Sequence, residues 1–193
     1  MAGGKGSDTY IVDDPGDVIL GELDAPIWGK DTVQSWIDYT LPAYIEILRL
    51  QGTRDISGTG TDLADTVIGN SGNNILSGGY GNDTIKGGAG DDTLIGGQGA
   101  DRLTGDAGRD VFLFRDPSDS PVGVAARDMI MSFVRGDDII DLAAIDANPW
   151  IDGDQAFTFI ADNSFSGKGM HSAGELRFAK GGPLWNVVEV DID

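Results

Sequence analysis

Gly69-Asn70-Ser71-Gly72-Asn73-Asn74-Ile75-Leu76-Ser77 is followed without a gap by four more nine-residue units. They begin at Gly78, Gly87, Gly96 and Gly105, and the last ends at Leu113. Every unit has Gly at position 1, Gly at position 4, and Asp or Asn at position 6. One large apolar side chain stands at position 8: Leu76, Ile85, Leu94, Leu103 and Phe112. One copy would carry little weight; five in unbroken register define a structural repeat.

The spelling has a physical reading. Glycine at positions 1, 2 and 4 opens turn conformations closed to residues with a Cβ. Turn over positions 1 to 6 and strand over positions 7 to 9 make half a coil, so two consecutive units complete one coil. Strands of successive coils stack about 4.8 Å apart, which places residues two units apart above one another. Leu76, Leu94 and Phe112 then form one interior column, and Val67, Ile85 and Leu103 the facing one. Position 6 gives two more columns, Asp65/Asp83/Asp101 and Asn74/Asp92/Asp110. Stacked carboxylates repel unless a cation lies between them, and hard oxygen ligands suit Ca²⁺. The turn residues Asn70, Gly72, Gly79, Gly81, Gly88, Gly90, Gly97, Gly99, Asp106 and Gly108 complete the expected ligand set. Each column has two gaps, so at least about four Ca²⁺ are expected.

This stretch resembles the calcium-binding β-roll of the repeats-in-toxin (RTX, haemolysin-type) family. The resemblance implies an all-β fold, a right-handed parallel β-roll or β-solenoid with Ca²⁺ in the turns and a C-terminal β capping region. It also implies type I secretion, an extracellular location, and folding on Ca²⁺ after export.

Composition narrows the function classes. The net charge is −19 and the pI near 4.1, which argues against nucleic acid and anionic membrane surfaces as partners. There is no cysteine, so a disulfide scaffold and a Cys-based zinc site are excluded. The 30 glycines include a nine-residue recurrence, unlike collagen or a flexible linker. No apolar run reaches membrane-spanning length, and the start Met1-Ala2-Gly3-Gly4 lacks the apolar stretch of a signal peptide.

Upstream, Gly3-Gly4-Lys5-Gly6-Ser7-Asp8-Thr9-Tyr10-Ile11 is a further repeat, with Gly4, Gly6 and Asp8 as candidate ligands. Its position suggests a chain cut from a longer protein. Val18 to Leu20 is expected as a short strand. Val33, Ser35, Ile37 and Tyr39 alternate on one face, and Ile45 to Leu50 is a further strand. Asp31-Thr32-Val33, Tyr39-Thr40-Leu41-Pro42 and Glu46-Ile47-Leu48-Arg49-Leu50-Gln51-Gly52 resemble the long-coil segment of secreted RTX proteins. Residues 1–68 are therefore expected as wider solenoid coils, 69–113 as the roll, and 114–193 as the capping region. A separate small β-sandwich over 10–68 is the alternative. Trp28 and Trp36 are expected as packing residues.

After Phe112 the register stops. Asp128-Met129-Ile130-Met131-Ser132-Phe133 and Gly136-Asp137-Asp138-Ile139-Ile140-Asp141-Leu142 resemble the C-terminal portion of the serralysin-type metalloproteases. That resemblance makes Asp128 and Asp138 candidate metal contacts, while Ser132 stands where the pattern has Asp. Strands at 157–160, 175–178 and 187–190 are expected to cap the roll, whose open end would expose unpaired edges. In the family more residues usually follow Asp193, which suggests truncation.

No catalytic centre is expected. His171 is the only histidine, the zinc motif His-Glu-x-x-His is absent, and a Ser-His-Asp arrangement has no support. Three readings remain. The first is a calcium-dependent folding and export module attached to an enzyme or adhesin domain. The second is an extracellular polysaccharide-binding module, as a similarity to alginate epimerase R-modules permits. The third is an ice- or surface-binding solenoid. Arg102 interrupts the outward column Thr66/Thr84/Arg102, and Ile75 and Val111 dilute the threonine of Ile75/Thr93/Val111, which counts against the third.

Overall fold

The computed structural model describes residues 1, 3–20, 29–120 and 127–145, with the backbone of three C-terminal strands. In chain order the strands are β1 (Thr9–Val12), β2 (Thr32–Ser35), β3 (Tyr39–Thr40), β4 (Ile47–Leu50), β5 (Ser57–Thr59), β6 (Thr66–Ile68), β7 (Ile75–Tyr80) and β8 (Thr84–Ala89). Then come β9 (Thr93–Gln98), β10 (Arg102–Ala107), β11 (Val111–Leu113), β12 (Met129–Met131), β13 (Ile139–Asp141), β14 (Thr158–Phe159), β15 (Glu175–Lys180) and β16 (Asn186–Asp191). There is no α-helix among the described residues; a 3-10 turn lies at Pro117–Asp119.

The chain winds between two parallel sheets. One has the order β1-β2-β4-β6-β8-β10-β12, the other β13-β11-β9-β7-β5-β3. From β2 to β13 successive strands alternate between the two sheets, so the fold is an all-β parallel solenoid. The register sets Val67 against Ile85 and Ile85 against Leu103. On the other sheet it sets Leu76 against Leu94 and Leu94 against Phe112. All six side chains are fully buried, so the interior columns stand as the repeat spacing requires. Tyr10, Val33, Leu48 and Ile130 extend the first column beyond the repeats. Gly58 holds the second column's place between Tyr39 and Leu76. A Cβ there would press on Leu48 at 3.0 Å, so glycine makes room for the facing leucine.

Three local expectations change. The strands of the repeats run on past position 9, because positions 2 and 3 of the next unit pair as well. The ladder skips position 1: Lys86 pairs with Thr104 and Gly88 with Asp106, and Gly87 is passed over. Val33 to Tyr39 is not one strand face. The chain turns a corner after Ser35, and Tyr39 joins the opposite sheet. Val18 to Leu20 is not a strand; Val18 and Leu20 bond to the Met1 backbone, and no ladder continues them among the described residues.

The coils at 9–68 share the sheets of the repeats, which removes the separate sandwich. Their lengths vary. The coil from Tyr10 to its partner Val33 is longer than the two-unit coil from Val67 to Ile85, and the coil from Val33 to Leu48 is shorter. The coil from Leu48 to Val67 comes close to the repeat length. The longest coils lie after the repeats, where Leu103 is paired with Ile130 and Phe112 with Ile140. β14, β15 and β16 form a third sheet, and the β16 backbone runs beside β12, the last strand of the seven-stranded sheet.

Candidate metal centre

Each long strand of the repeats ends at a tight turn made of positions 4 to 6. Position 4 needs the left-handed region in most repeats: Gly81, Gly90, Gly99 and Gly108 have φ of 114°, 110°, 151° and 141°. Position 2 needs it too, at Gly79, Gly88 and Gly97, and Asp106 takes φ 69° in the same place. Position 1 is glycine for a different reason. A Cβ on Gly87 would fall on Asp92 Oδ2 and, at 2.6 Å, on the Gly105 carbonyl oxygen of the next coil. Gly78 has the same relation to Asp83 Oδ2 and the Gly96 carbonyl oxygen. The missing side chain leaves a cradle into which oxygens from two coils converge.

The position-6 side chains lie at the corners of the roll and are buried. Asp65, Asp83, Asp92, Asp101, Asp110 and Asp128 are all at most 5% exposed. One oxygen of each upper carboxylate accepts the backbone N–H of the position-6 residue one coil below. The donors are Asp65 to Asp83 (2.8 Å), Asn74 to Asp92 (2.7 Å), Asp83 to Asp101 (2.8 Å) and Asp92 to Asp110 (3.0 Å). The ladder runs past the repeats: Asp101 N–H donates to Asp128 and Asp110 N–H to Asp138.

The second oxygen is what makes these positions unusual. Oδ2 of Asp83, Asp92, Asp101, Asp110 and Asp128, Oδ1 of Asp65 and Oδ2 of Asp8 are buried without a hydrogen-bond partner. A buried polar group without a partner costs about 1–3 kcal/mol, and more when charged. Burial pushes Asp83 and Asp92 up to about 7, Asp101 to about 6 and Asp128 to about 8. The backbone N–H bonds pull the other way, and neighbouring carboxylates add to the rise on Asp83, Asp92 and Asp128. Asp65 and Asp110 are raised for the same first reason. Oxygens in this state fit a bound cation. Among the described residues no point gathers three carboxylates or imidazoles. A cation in a cradle would draw its other oxygens from turn carbonyls, a set suited to a hard ion such as Ca²⁺.

The predicted residues divide. Asp65, Asp83, Asp101 and Asp128 share one corner; Asn74, Asp92, Asp110 and Asp138 share the other. Asp138 differs from its column, since Oδ1 accepts from Asp110 and Oδ2 from Val134 N–H at 2.7 Å. Asp106 is exposed. Gly4 and Gly6 have φ of 94° and 116°, as turn glycines do, while Gly72 has an ordinary φ. Trp36 stands 38% exposed at a corner, outside the core. Trp28 and His171 lie outside the described residues.

Two members of the first column have no counterpart in the sequence reading. Asp31 precedes β2 and Glu46 precedes β4, as Asp65 precedes β6. Asp8 N–H donates to Asp31 Oδ1 at 2.7 Å, and Asp31 N–H to Glu46 Oε2 at 2.9 Å. The corner is thus acidic from Asp8 to Asp128. A further exposed ladder runs along position 5: Asn73 N–H donates to Asp55, Asp91 N–H to Asn73, and Arg109 N–H to Asp91.

Parallel coils with oxygen cradles at both corners define a cation-binding β-solenoid. Residues 59–94 and, overlapping them, 77–112 match the RTX calcium-binding nonapeptide repeat (4 copies). No curated protein matches the chain. The repeat match and the parallel fold fit an RTX β-roll protein, with a calcium-binding repeat domain at its centre. No helix among the described residues is long and apolar enough to cross a membrane.

Proposed function

We propose that this chain is a calcium-switched folding module of a type I-secreted bacterial protein, supporting an attached enzyme or adhesin domain. The observation that carries the reading is the set of buried carboxylate oxygens without partners. In this reading Asp65, Asp83, Asp101 and Asp128 on one corner, and Asp92 and Asp110 on the other, hold Ca²⁺ with turn carbonyls of neighbouring coils. The Asn74 Oδ1 is a weaker, neutral contact.

The energetics suit a switch. Without the metal, a glycine-rich chain with net charge −19 lacks compensation for its stacked carboxylates. Each occupied site adds about 2.7 kcal/mol at a hundredfold excess of ligand over Kd. About four sites would add roughly 11 kcal/mol, comparable to the stability of an ordinary domain. Sites in extracellular modules have Kd on the order of 10⁻⁴–10⁻³ M, so they stay empty inside a cell and fill outside it. The test is hydrogen exchange of residues 69–113 in chelator and in millimolar calcium. Strong protection in calcium alone is expected; equal protection in both overturns the switch.

A second reading draws on the outer face of the seven-stranded sheet. Arg49, Lys86 and Arg102 are exposed there on an otherwise acidic protein. Arg49 is paired with Ile68 and Ile68 with Lys86, while Arg102 occupies the adjoining column. Such a strip suits an anionic extracellular polysaccharide. Calcium-loaded protein should be retained on an immobilised polyuronate, and the R49E/K86E/R102E variant should elute earlier. Equal elution overturns this reading and leaves the first untouched.

A further inference from the structure

The two corners of the roll differ below Asn74. The corner of Asp65 is acidic throughout. The register of the other places Ile56 beneath Asn74 and Ile37 beneath Ile56, so its column reads Ile37, Ile56, Asn74, Asp92, Asp110, Asp138. Ile56 is 6% exposed and joins the core; it has no oxygen in its side chain to offer a metal.

Asn74 is 1% exposed and sits at the change from apolar to acidic. Its Nδ2 donates to the Ile56 carbonyl at 2.9 Å and to Asn70 Oδ1 at 3.0 Å, and its Oδ1 accepts Asn70 N–H at 2.8 Å. Turning the amide over would set its NH₂ against the Asn70 N–H and its oxygen against the Ile56 carbonyl, so the orientation is fixed by its partners. Asn70 continues the pattern. Its Nδ2 donates to the carbonyls of Gln51 (3.1 Å) and Arg54 (3.0 Å), while its Oδ1 accepts Gly72 N–H (2.7 Å). Three carbonyls of the turn below are thereby met by amide protons. One coil further down, the Arg54 guanidinium donates to the Trp36 carbonyl at 2.7 Å. No buried side-chain oxygen without a partner occurs at Asn70 or Asn74, in contrast to Asp83, Asp92, Asp101 and Asp110.

We infer that the gap between turns 51–56 and 69–74 takes no calcium, and that Asn70 and Asn74 clamp it shut with amide protons. On this corner metal loading begins above Asn74, where its Oδ1 faces the next coil. The clamp gives the calcium array a metal-independent floor. Protons fixed on side chains neutralise the stacked carbonyls there, as a mobile cation would above. The inference rests on the proposed calcium reading of the acidic gaps.

The test is anomalous diffraction from calcium-grown crystals of the full chain, with native mass spectrometry of the Asn70→Ala variant. Peaks are expected beside Asp83, Asp101, Asp92 and Asp110, and none between Ile56 and Asn74. Asn70→Ala should bind as many ions as the parent chain while melting at a lower temperature. A calcium peak between Ile56 and Asn74, or the loss of an ion in Asn70→Ala, overturns the clamp. Absence of peaks from every gap would instead sink the calcium reading on which it rests.

Discussion

The coils at 31–58 and the coils at 69–113 hang from the same two parallel sheets, yet they close their turns by different chemistry. In the lower coils one corner is filled by Ile37 and Ile56 and stitched by Arg54, with Asn70 and Asn74 closing it from above, while the other corner stays acidic with Asp31 and Glu46. The interior there is also richer, with Leu41, Ile45, Leu48, Leu50 and Ile56 all buried. In the upper coils, each half-turn contributes one large interior side chain, and from Asp83 to Asp110 the corner holds a carboxylate with an unmet oxygen. Stacked turns always present converging carbonyls, which some positive group must meet. An apolar corner with amide donors is a fixed solution. A carboxylate corner leaves the answer to the ion concentration outside. The difference separates scaffold from switch within one solenoid.

Calcium withdrawal should give the largest separation of the two. In chelator, backbone amides at 83–110 are expected to exchange freely. Those of Leu48, Leu50 and Ile56 should keep more protection than the upper coils do. Site-resolved exchange checks this; a uniform loss across both regions would erase the distinction.

Glycine substitutions come next. Gly87 has an ordinary φ, so alanine meets no backbone strain, but its Cβ would occupy the cradle of Asp92 Oδ2 and the Gly105 carbonyl. Gly52 is the reverse case. Its φ of 80° strains an alanine by about 1–2 kcal/mol, while the nearest atom to the Cβ is Trp36 Cδ1 at 3.7 Å. Gly87→Ala should raise the calcium midpoint of folding far more than Gly52→Ala. Circular dichroism titrations measure both, and equal shifts would mean the cradle is not the metal's place.

Within one corner, Asp92→Ala removes a buried carboxylate with an unmet oxygen, whereas Asn74→Ala removes a neutral amide already satisfied. Asp92→Ala should therefore raise the calcium midpoint more. Asn74→Ala should lower thermal stability in saturating calcium by about 1–3 kcal/mol, the cost of leaving the Ile56 carbonyl without its donor. Equal calcium midpoints would join the two residues into one kind of site.

Much of this was legible from spacing alone. Leu76, Leu94 and Phe112 recur at every second unit, so the interior columns follow from counting. The acidic columns follow the same way wherever the nine-residue register holds. Asp31 and Glu46 escaped because the count breaks at both. The coil from Asp8 to Asp31 is longer than two repeat units, and the coil from Asp31 to Glu46 is shorter. The signal was local: each directly precedes a short run with an apolar second residue, as Asp65 does before Thr66-Val67. The clamp was hidden for another reason. Asn74 occupies an Asp position, and its exchange of acceptor for donor matters only because Ile56, not an acid, lies one coil below. The role of position 1 was also hidden, since glycine at Gly87 serves space while glycine at Gly88 serves φ.

The smallest effect, and the most diagnostic of the unmet oxygens, is the response to pH. Asp83 and Asp92 stand near 7, Asp101 near 6 and Asp128 near 8, each raised first by burial. In the unfolded chain these groups titrate near the ordinary carboxylate value of about 3.9. A carboxyl whose value is raised by folding binds more protons in the folded state. Its contribution to stability is therefore full below about 4 and lost as pH climbs through about 6 to 8. Without calcium, the β-signal of the upper coils should be greater at pH 5 than at pH 8, because a proton can neutralise an oxygen that otherwise needs a metal. With calcium the sign reverses, since protons compete for the same oxygens. The calcium midpoint should fall as pH rises from about 6 to 8. The amide clamp has no group that titrates in this window, so exchange at Ile56 should follow pH less than exchange at Asp92, once corrected for intrinsic rates. A calcium midpoint that does not move between pH 6 and pH 8 would show that these carboxylates are already ionised without metal, and that burial alone does not set their state.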